Sequence, residues 1–488
     1  MKDGNAAMND YLALAPVILP IAGAVIALGA YRYYKRAFEA FIIVYSVLLF
    51  VFNAGYLLML HGGMAPLSYG PITLDAPGMV ISTLVSFLGM LIMFYSFAYK
   101  DKPQYDSTYF AAYLMMMGFM CGLANTYNVV IMLILLEAAT VISGVLVLFG
   151  RTRRSIKAAT IYLAISLFEV LLVLYGAFVL YGYTKSLDPT TNIAMIPEGG
   201  RLLLALLFLF GFGTKAGLVP LGLIWLPPAH SEAPPPISAT MSGILISTSV
   251  IAMIRAVYPF YTASSSGMIM LIVVSIGALN MVIGMFMALF QEDLKRLLAY
   301  SSISQMGYVV IGLGLATPLG VYGALFHIAN HMFFKACLFL IAGVFILRVN
   351  TRQLHKMGGL WKYMPMTAVC FLIASLAMVG LPYLNGDASK SIIEKATLDA
   401  ESIWWGYKWY FYAEIIGSFI TFLYLFRAFW LIFLGRPKPG FEKVSDPPLY
   451  MLIPIVIMVA LCVVLGLFPG LIEGTLQFAA NALLHTGG

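Results

Sequence analysis

Charged side chains inside apolar segments are the residues of this sequence best placed to do chemistry. Lys215 lies in G-F-G-T-K-A-G-L-V-P (Gly211 to Pro220), where three glycines and a proline loosen the helix and no loop is near enough to carry the ammonium to water. Glu137 stands in I-M-L-I-L-L-E-A-A-T and Glu169 in S-L-F-E-V-L-L. An uncompensated charge at bilayer depth costs at least ~2.5–3.5 kcal/mol, so such residues have partners and mark ion or substrate paths. A Glu137–Lys215 ion pair would meet that cost. Burial and pairing act oppositely on proton affinity, so making or breaking the pair moves a proton on or off the lysine. The alternative for Glu137 is a carboxylate satisfied by a neighbouring hydroxyl or backbone group. For Glu169, a place on the path and a local contact both stay open.

Two further stretches carry the same signal. In G-A-L-F-H-I-A-N-H-M-F-F-K-A (Gly323 to Ala336), His327, His331 and Lys335 recur every four residues and share one helical face. Paired histidines can bind a metal, but no carboxylate or cysteine lies nearby in the motif, and a proton path suits groups that titrate near neutral pH. Core histidines bonded to carbonyls are the alternative. In G-L-P-Y-L-N-G-D-A-S-K (Gly380 to Lys390), glycines and a proline break a helix, and Asp387 and Lys390 follow at a spacing that allows them to pair. If the chain leaves the membrane at Pro382, both are solvated loop charges. Arg255, Glu414 and Arg427 lie close enough to helix ends to snorkel and receive no chemical role.

The elements that must hold these residues are membrane helices. Of 488 residues, 61% are hydrophobic and 10% charged, and the mean hydropathy is +0.93. A soluble domain carries roughly 25% charged residues. Apolar segments of spanning length fall near 11–31, 38–60, 78–99, 108–127, 128–150, 157–183, 200–226, 237–260, 267–290, 297–316, 319–347, 365–384, 407–434 and 450–475, about fourteen helices in one polytopic domain, 1–488. The longest polar loops fall near 61–77, 185–199 and 385–406. Lysine and arginine gather in loops after odd-numbered helices: Arg32, Lys35, Arg36; Lys100, Lys102; Arg151, Arg153, Arg154, Lys157; Lys295, Arg296; Arg348, Arg352, Lys356, Lys362; Arg436, Lys438, Lys443. The positive-inside rule puts those loops in the cytoplasm and both termini outside, and it accounts for the net charge of +7 without a nucleic-acid partner. The polar Met1–Asp10 stretch predicts no removable signal peptide.

Cys121, Cys337, Cys370 and Cys462 stand singly in apolar segments, as small core residues rather than metal ligands. With no nucleotide loop and no Cys or Cys/His cluster, a redox centre or metal site is not expected in this chain. A broken helix with a lysine occurs once in each half, at Lys215–Pro220 and Gly380–Lys390, the pattern of inverted-repeat transporters whose unwound turns line a polar cavity.

Four ordered motifs make the chain recognisable: W-L-P-P-A-H-S-E-A-P-P-P-I-S-A from Trp225, Q-E-D-L-K-R-L-L-A-Y-S-S-I-S-Q-M-G-Y from Gln291, H-I-A-N-H-M-F-F-K-A from His327 and the Gly380–Lys390 stretch. With G-S-F-I-T-F-L-Y-L-F-R from Gly417, they resemble the antiporter-like subunits shared by respiratory complex I, Mrp-type sodium/proton antiporters and membrane-bound hydrogenases. The resemblance implies an all-α membrane fold of fourteen helices with two inverted five-helix repeats, each with a broken helix. It also implies two half-channels, near 108–260 and 267–434. Glu137 and Lys215 then look like the first half-channel's pair, Lys335 like the central lysine and Lys390 like the terminal one, with His327 and His331 alongside. Expected partners are other membrane subunits and a soluble redox arm holding iron–sulfur or nickel–iron centres; an Mrp antiporter without redox module is the alternative. Two departures stand out. Many relatives carry histidine or lysine in the eighth helix, where this chain has Ser242, Ser247, Thr248 and Ser249, and Asp387 stands where phenylalanine is usual.

Overall fold

A computed structural model describes residues 11–33, 35–99, 105–262, 266–402 and 405–485. Met1–Asp10, Lys100 and Lys102 lie outside the described residues, as do the side chains of Arg32, Lys35 and Arg36. The described residues are mostly helical because hydrocarbon offers no partner to a free N–H or C=O, and a helix pairs both within one segment.

In chain order the helices are α1 (Ala15–Tyr33), α2 (Lys35–His61), α3 (Ala76–Ser96), α4 (Ser107–Ala124), α5 (Val129–Leu148), α6 (Arg153–Thr184), α7a (Glu198–Lys215) and α7b (Gly222–Glu232). Next comes α8, a continuous span Pro235–Tyr261, followed by α9 (Ser266–Leu289), α10 (Leu294–Gly314) and α11 (Pro318–Arg348). Then α12a (Pro365–Val379), α12b (Asn385–Asp399), α13 (Tyr407–Phe429), α14 (Leu449–Leu467) and α15 (Gly470–His485) complete the chain. Among the described residues, twelve helices are long and apolar enough to cross a membrane. The other two segments expected from the sequence, near 200–226 and 365–384, hold the broken helix α7a/α7b and the shorter apolar helix α12a.

The tight junctions expected near Asn125–Asn128 and Leu315–Leu319 are real helix ends. The Asn128 side chain caps α5, and Thr317 caps α11 just ahead of Pro318, each accepting from otherwise unpaired N–H groups. Three readings change. The 61–77 loop contains a hairpin, Leu67–Tyr69 paired antiparallel with Ile72–Leu74, turning at Gly70 with φ +57°. The polar 385–406 stretch is largely helix α12b; its polarity serves a buried polar contact rather than solvent. The last apolar segment stops at Leu467 because Phe468 and Pro469 break it, and α15 follows as a separate helix.

Burial sorts the helices into centre and rim. In the most apolar window of each span, α8 is 100% buried, α10 94% and α11 89%, against 33% for α1, α2 and α6. The helices carrying Ser242, Ser302 and Lys335 therefore form the middle of the molecule.

Candidate functional site

The first cluster forms where helix seven breaks. Gly217 adopts φ +84°, Pro220 has no N–H to donate, and α7a ends with Lys215 in its last turn, where the helix dipole favours a cation. The break is stitched in place. Trp225 Nε1 donates to the Thr214 carbonyl at 2.8 Å, and Val219 N–H to Asn280 Oδ1 at 2.8 Å, while Asn280 itself donates to the Ile303 carbonyl.

Lys215 is buried, and its ion-pair partner is Glu169, with Nζ 3.4 Å from Oε2. Nζ also donates to Ser166 Oγ at 3.0 Å, and Ser166 donates to the Glu137 carboxylate at 2.6 Å. The expected Glu137–Lys215 pair is thus bridged by a hydroxyl, and among the described residues the direct partner is Glu169. The rings of Tyr162 and Trp225 lie 4.6 and 5.7 Å from Nζ. Tyr162, Ser166 and Glu169 share one face of α6 by their i, i+4, i+7 spacing, a signal present in the sequence. Glu169 is fully buried, whereas Glu137 is half-buried and flanked on α5 by exposed Ile134 and Val141.

The second cluster runs along α11. Lys335 Nζ donates to the Leu298 carbonyl at 3.0 Å and to Ser301 Oγ, and no carboxylate lies within 4 Å among the described ion pairs. His327 bonds through Nδ1 to Ser389 at 2.9 Å and through Nε2 to Gln305 at 3.1 Å, joining α11 to α12b and α10. His331 is buried with neither ring nitrogen hydrogen-bonded. Ser242 sits in a π turn of α8, Met241–Leu245, and its hydroxyl meets that of Ser302 at 2.8 Å. Ser247 Oγ is buried without a partner, and Thr248 and Ser249 turn back to carbonyls of their own helix.

Helix twelve repeats the broken arrangement. Gly380 holds φ +91°, and a Cβ on Gly386 would fall on the Ala377 carbonyl, so α12b can start only this close to the end of α12a if residue 386 is glycine. Lys390 is buried, not a solvated loop charge. It donates to the Met378 and Val379 carbonyls freed by the break, at 3.1 and 3.0 Å, and to Ser418 at 3.2 Å. Asp387 does not pair with it; its carboxylate accepts from Ser391 at 3.3 Å. Lys390 Nζ lies 4.5 Å from the Tyr308 ring, and Tyr308 donates to the Glu414 carbonyl at 2.6 Å.

Several residues read as snorkelling or as loop charges are buried instead. Glu414 is fully buried and accepts from Thr397 at 3.2 Å. Arg255 forms a bidentate pair with Asp75, at 2.5 and 2.8 Å, under the Tyr127 ring. Lys295 is 1% exposed and donates to the Ala233 carbonyl at 2.5 Å. Arg427 does lie at a helix end, bonded to the Leu289 and Gln291 carbonyls. His230, unassigned from the sequence, is buried with neither ring nitrogen hydrogen-bonded. It lies between the clusters, its ring 6.4 Å from that of Trp225 and 5.3 Å from that of Phe339, one turn beyond Lys335. The polar triplet His230–Ser231–Glu232, between the Pro227–Pro228 pair and the run Pro234–Pro236, was its sequence signal.

Among the described residues no group of three or more His, Cys, Asp or Glu could hold a metal. What is brought together is a set of buried clusters of acids, bases and hydroxyls, one around Lys215, one along α11 around Lys335 and His327, and one around Lys390.

The family model described as NADH:quinone oxidoreductase/Mrp antiporter, TM, matches residues 126–421. The chain is 33% identical over 427 residues to NADH-quinone oxidoreductase subunit N of Desulforudis audaxviator, covering 83% of each. It is 30% identical over 508 aligned residues to Na+/H+ antiporter subunit A1 of Staphylococcus aureus, covering 96% of this chain and 63% of that one. Its fold is similar to a chain of the membrane-bound sulfane sulfur reductase, an archaeal respiratory membrane complex, with TM-score 0.88 at 22% identity, covering 97% of this chain and 98% of the other.

Proposed function

The chain belongs to the NADH:quinone oxidoreductase/Mrp antiporter transmembrane family, and from that premise we propose that it is the ion-translocating, antiporter-like subunit of a multisubunit membrane complex driven by a redox module. Protons, with sodium as a possible counter-ion, are what it moves. Iron–sulfur or nickel–iron centres belong to partner subunits in this reading. The basic loops face the cytoplasm and the termini the other side.

The observation that carries the proposal is the Lys215 cluster, where one buried ammonium is shared between Glu169 at 3.4 Å and, through Ser166, Glu137. Each carboxylate competes for the same cation. A negative charge arriving beside half-buried Glu137 from a neighbouring subunit draws Lys215 toward Ser166 and away from Glu169, and a positive one drives it the other way. Loosening that pair changes the proton affinity of both partners. His230 and His331, with unoccupied ring nitrogens, stand where a proton passes on toward Lys335. From there Lys335 bonds Ser301, and one turn further along α10 Gln305 bonds His327, which bonds Ser389, the neighbour of Lys390 in sequence. Histidine suits these positions because its two nitrogens can accept on one side and donate on the other.

Lys215→Ala in the assembled complex tests the proposal, and ion translocation at the wild-type rate would sink it. The antiporter relative, matched over 96% of this chain, supports a second reading, an Mrp-type antiporter subunit driven by ion gradients alone. Purification in mild detergent separates the two: a soluble arm with metal centres accompanies the first and not the second.

A further inference from the structure

Outside the proposed relay, a cavity of about 510 Å³ opens on the face where the loops after α5, α9 and α11 meet the end of α7b. That volume holds on the order of ten waters. Arg154, Lys157 and Arg296 line it together with Glu232, Glu292 and Asp293. Acids offset bases, so the cavity does not gather anions as a purely basic pocket would. Its contents are best described as water.

One of its lining side chains, that of Arg352, is held on three sides. Arg352 Nε lies 2.5 Å from Asp293 Oδ2, one terminal nitrogen lies 2.6 Å from Glu232 Oε1, and the other donates to the Ser231 carbonyl. The backbone beneath it is pinned, with Leu294 N–H donating to the Arg352 carbonyl and Leu354 N–H to that of Glu292, both at 2.9 Å. Burial opposes the guanidinium's charge, but Asp293 and then Glu232 outweigh it and hold its pKa above the usual value. Adjoining the clamped Ser231 and Glu232 in sequence are two buried residues, Ala233, whose carbonyl takes the buried Lys295 ammonium, and His230. The Arg352 side chain is 24% exposed on a fixed backbone, so it can swing without disturbing a helix.

We propose that Arg352 is the latch of an aqueous vestibule, closing on Glu232 and Asp293 to separate the water of this cavity from His230 and the central lysine, and opening to admit a proton. The proposal rests on the translocation reading for its ion, though not for its geometry.

The test uses Ala233→Cys in the assembled complex in vesicles, with a membrane-impermeant cationic methanethiosulfonate added from the cavity face. The native cysteines are all buried and contribute little background. Arg352→Gln is expected to raise the modification rate at position 233 by at least about tenfold, the factor for losing a single one of its charge-assisted contacts. It should also raise passive proton leak and leave an Arg154→Cys control at the mouth unchanged. An unchanged rate at position 233 overturns the latch, and so does a raised rate with no added leak. If Arg352→Gln fails to assemble, Glu232→Gln removes one side of the clamp and is read the same way. Labelling does not depend on translocation: a raised rate in a parent complex that moves no ions refutes the functional reading rather than the latch.

Discussion

Ser166→Ala isolates the hydroxyl that carries the proposed coupling. The side chain has one proton to give; it donates to Glu137 at 2.6 Å and accepts from Lys215 at 3.0 Å. Alanine deletes both bonds and leaves the Glu169–Lys215 pair at 3.4 Å untouched. Hydrogen bonds to charged groups are worth about 1.5–3 kcal/mol each. Half-buried Glu137 recovers part of its loss from its surroundings, so a net of about 2–3 kcal/mol should fall on the step that passes charge between Glu137 and Lys215. At 1.36 kcal/mol per decade, that slows the step roughly 30- to 150-fold. The assay is dye-monitored proton uptake by vesicles holding the assembled complex, with the driving reaction followed in parallel and again with uncoupler present. Uptake should fall by at least about tenfold while the uncoupled driving reaction persists, and Ser166→Thr, which keeps the hydroxyl, should restore most of it. Wild-type uptake in Ser166→Ala, beside a dead Lys215→Ala, would refute the bridge and leave Glu169 as the lysine's only working partner.

Glu169→Gln strips the buried ammonium of its closest carboxylate and should cost about 3–5 kcal/mol, seen as a lower melting temperature of the purified complex. The double variant Lys215→Met/Glu169→Gln should recover most of that stability without recovering translocation. Because the His230 ring makes no hydrogen bond, His230→Gln should assemble normally, yet proton uptake should drop about tenfold or more if the ring lies on the path. Arg255→Gln is the counter-case: it leaves Asp75 without its bidentate partner and should destabilise by about 3–5 kcal/mol, while uptake per assembled complex stays at the wild-type rate.

The charged residues of the proposed relay stand out in the sequence because each violates its surroundings. Lys215, Glu137, Lys335 and Glu169 interrupt segments too apolar for anything but membrane, and the cost of a charge there is paid residue by residue along one strand of sequence. The same local logic, Gly and Pro against helical continuity, located both breaks, and i, i+4 spacing put His327, His331 and Lys335 on one face. Local logic also misled. Lys295 and Arg352 read as loop charges on the basic face, and Arg255 and Glu414 as snorkelling, because hydropathy along a segment does not record what packs above a helix end.

Partner choice was decided only in three dimensions. Lys215 meets Glu169 directly and Glu137 through Ser166; Lys390 meets freed carbonyls instead of Asp387; Arg255 finds Asp75 from 180 residues away. A contact of this kind turns on whether two helices approach to within a few ångströms and on how each is rotated about its axis, and a shift of one residue in either moves the side chain to another face. No single segment encodes that rotation; it is set by the packing of all the others around α8, α10 and α11.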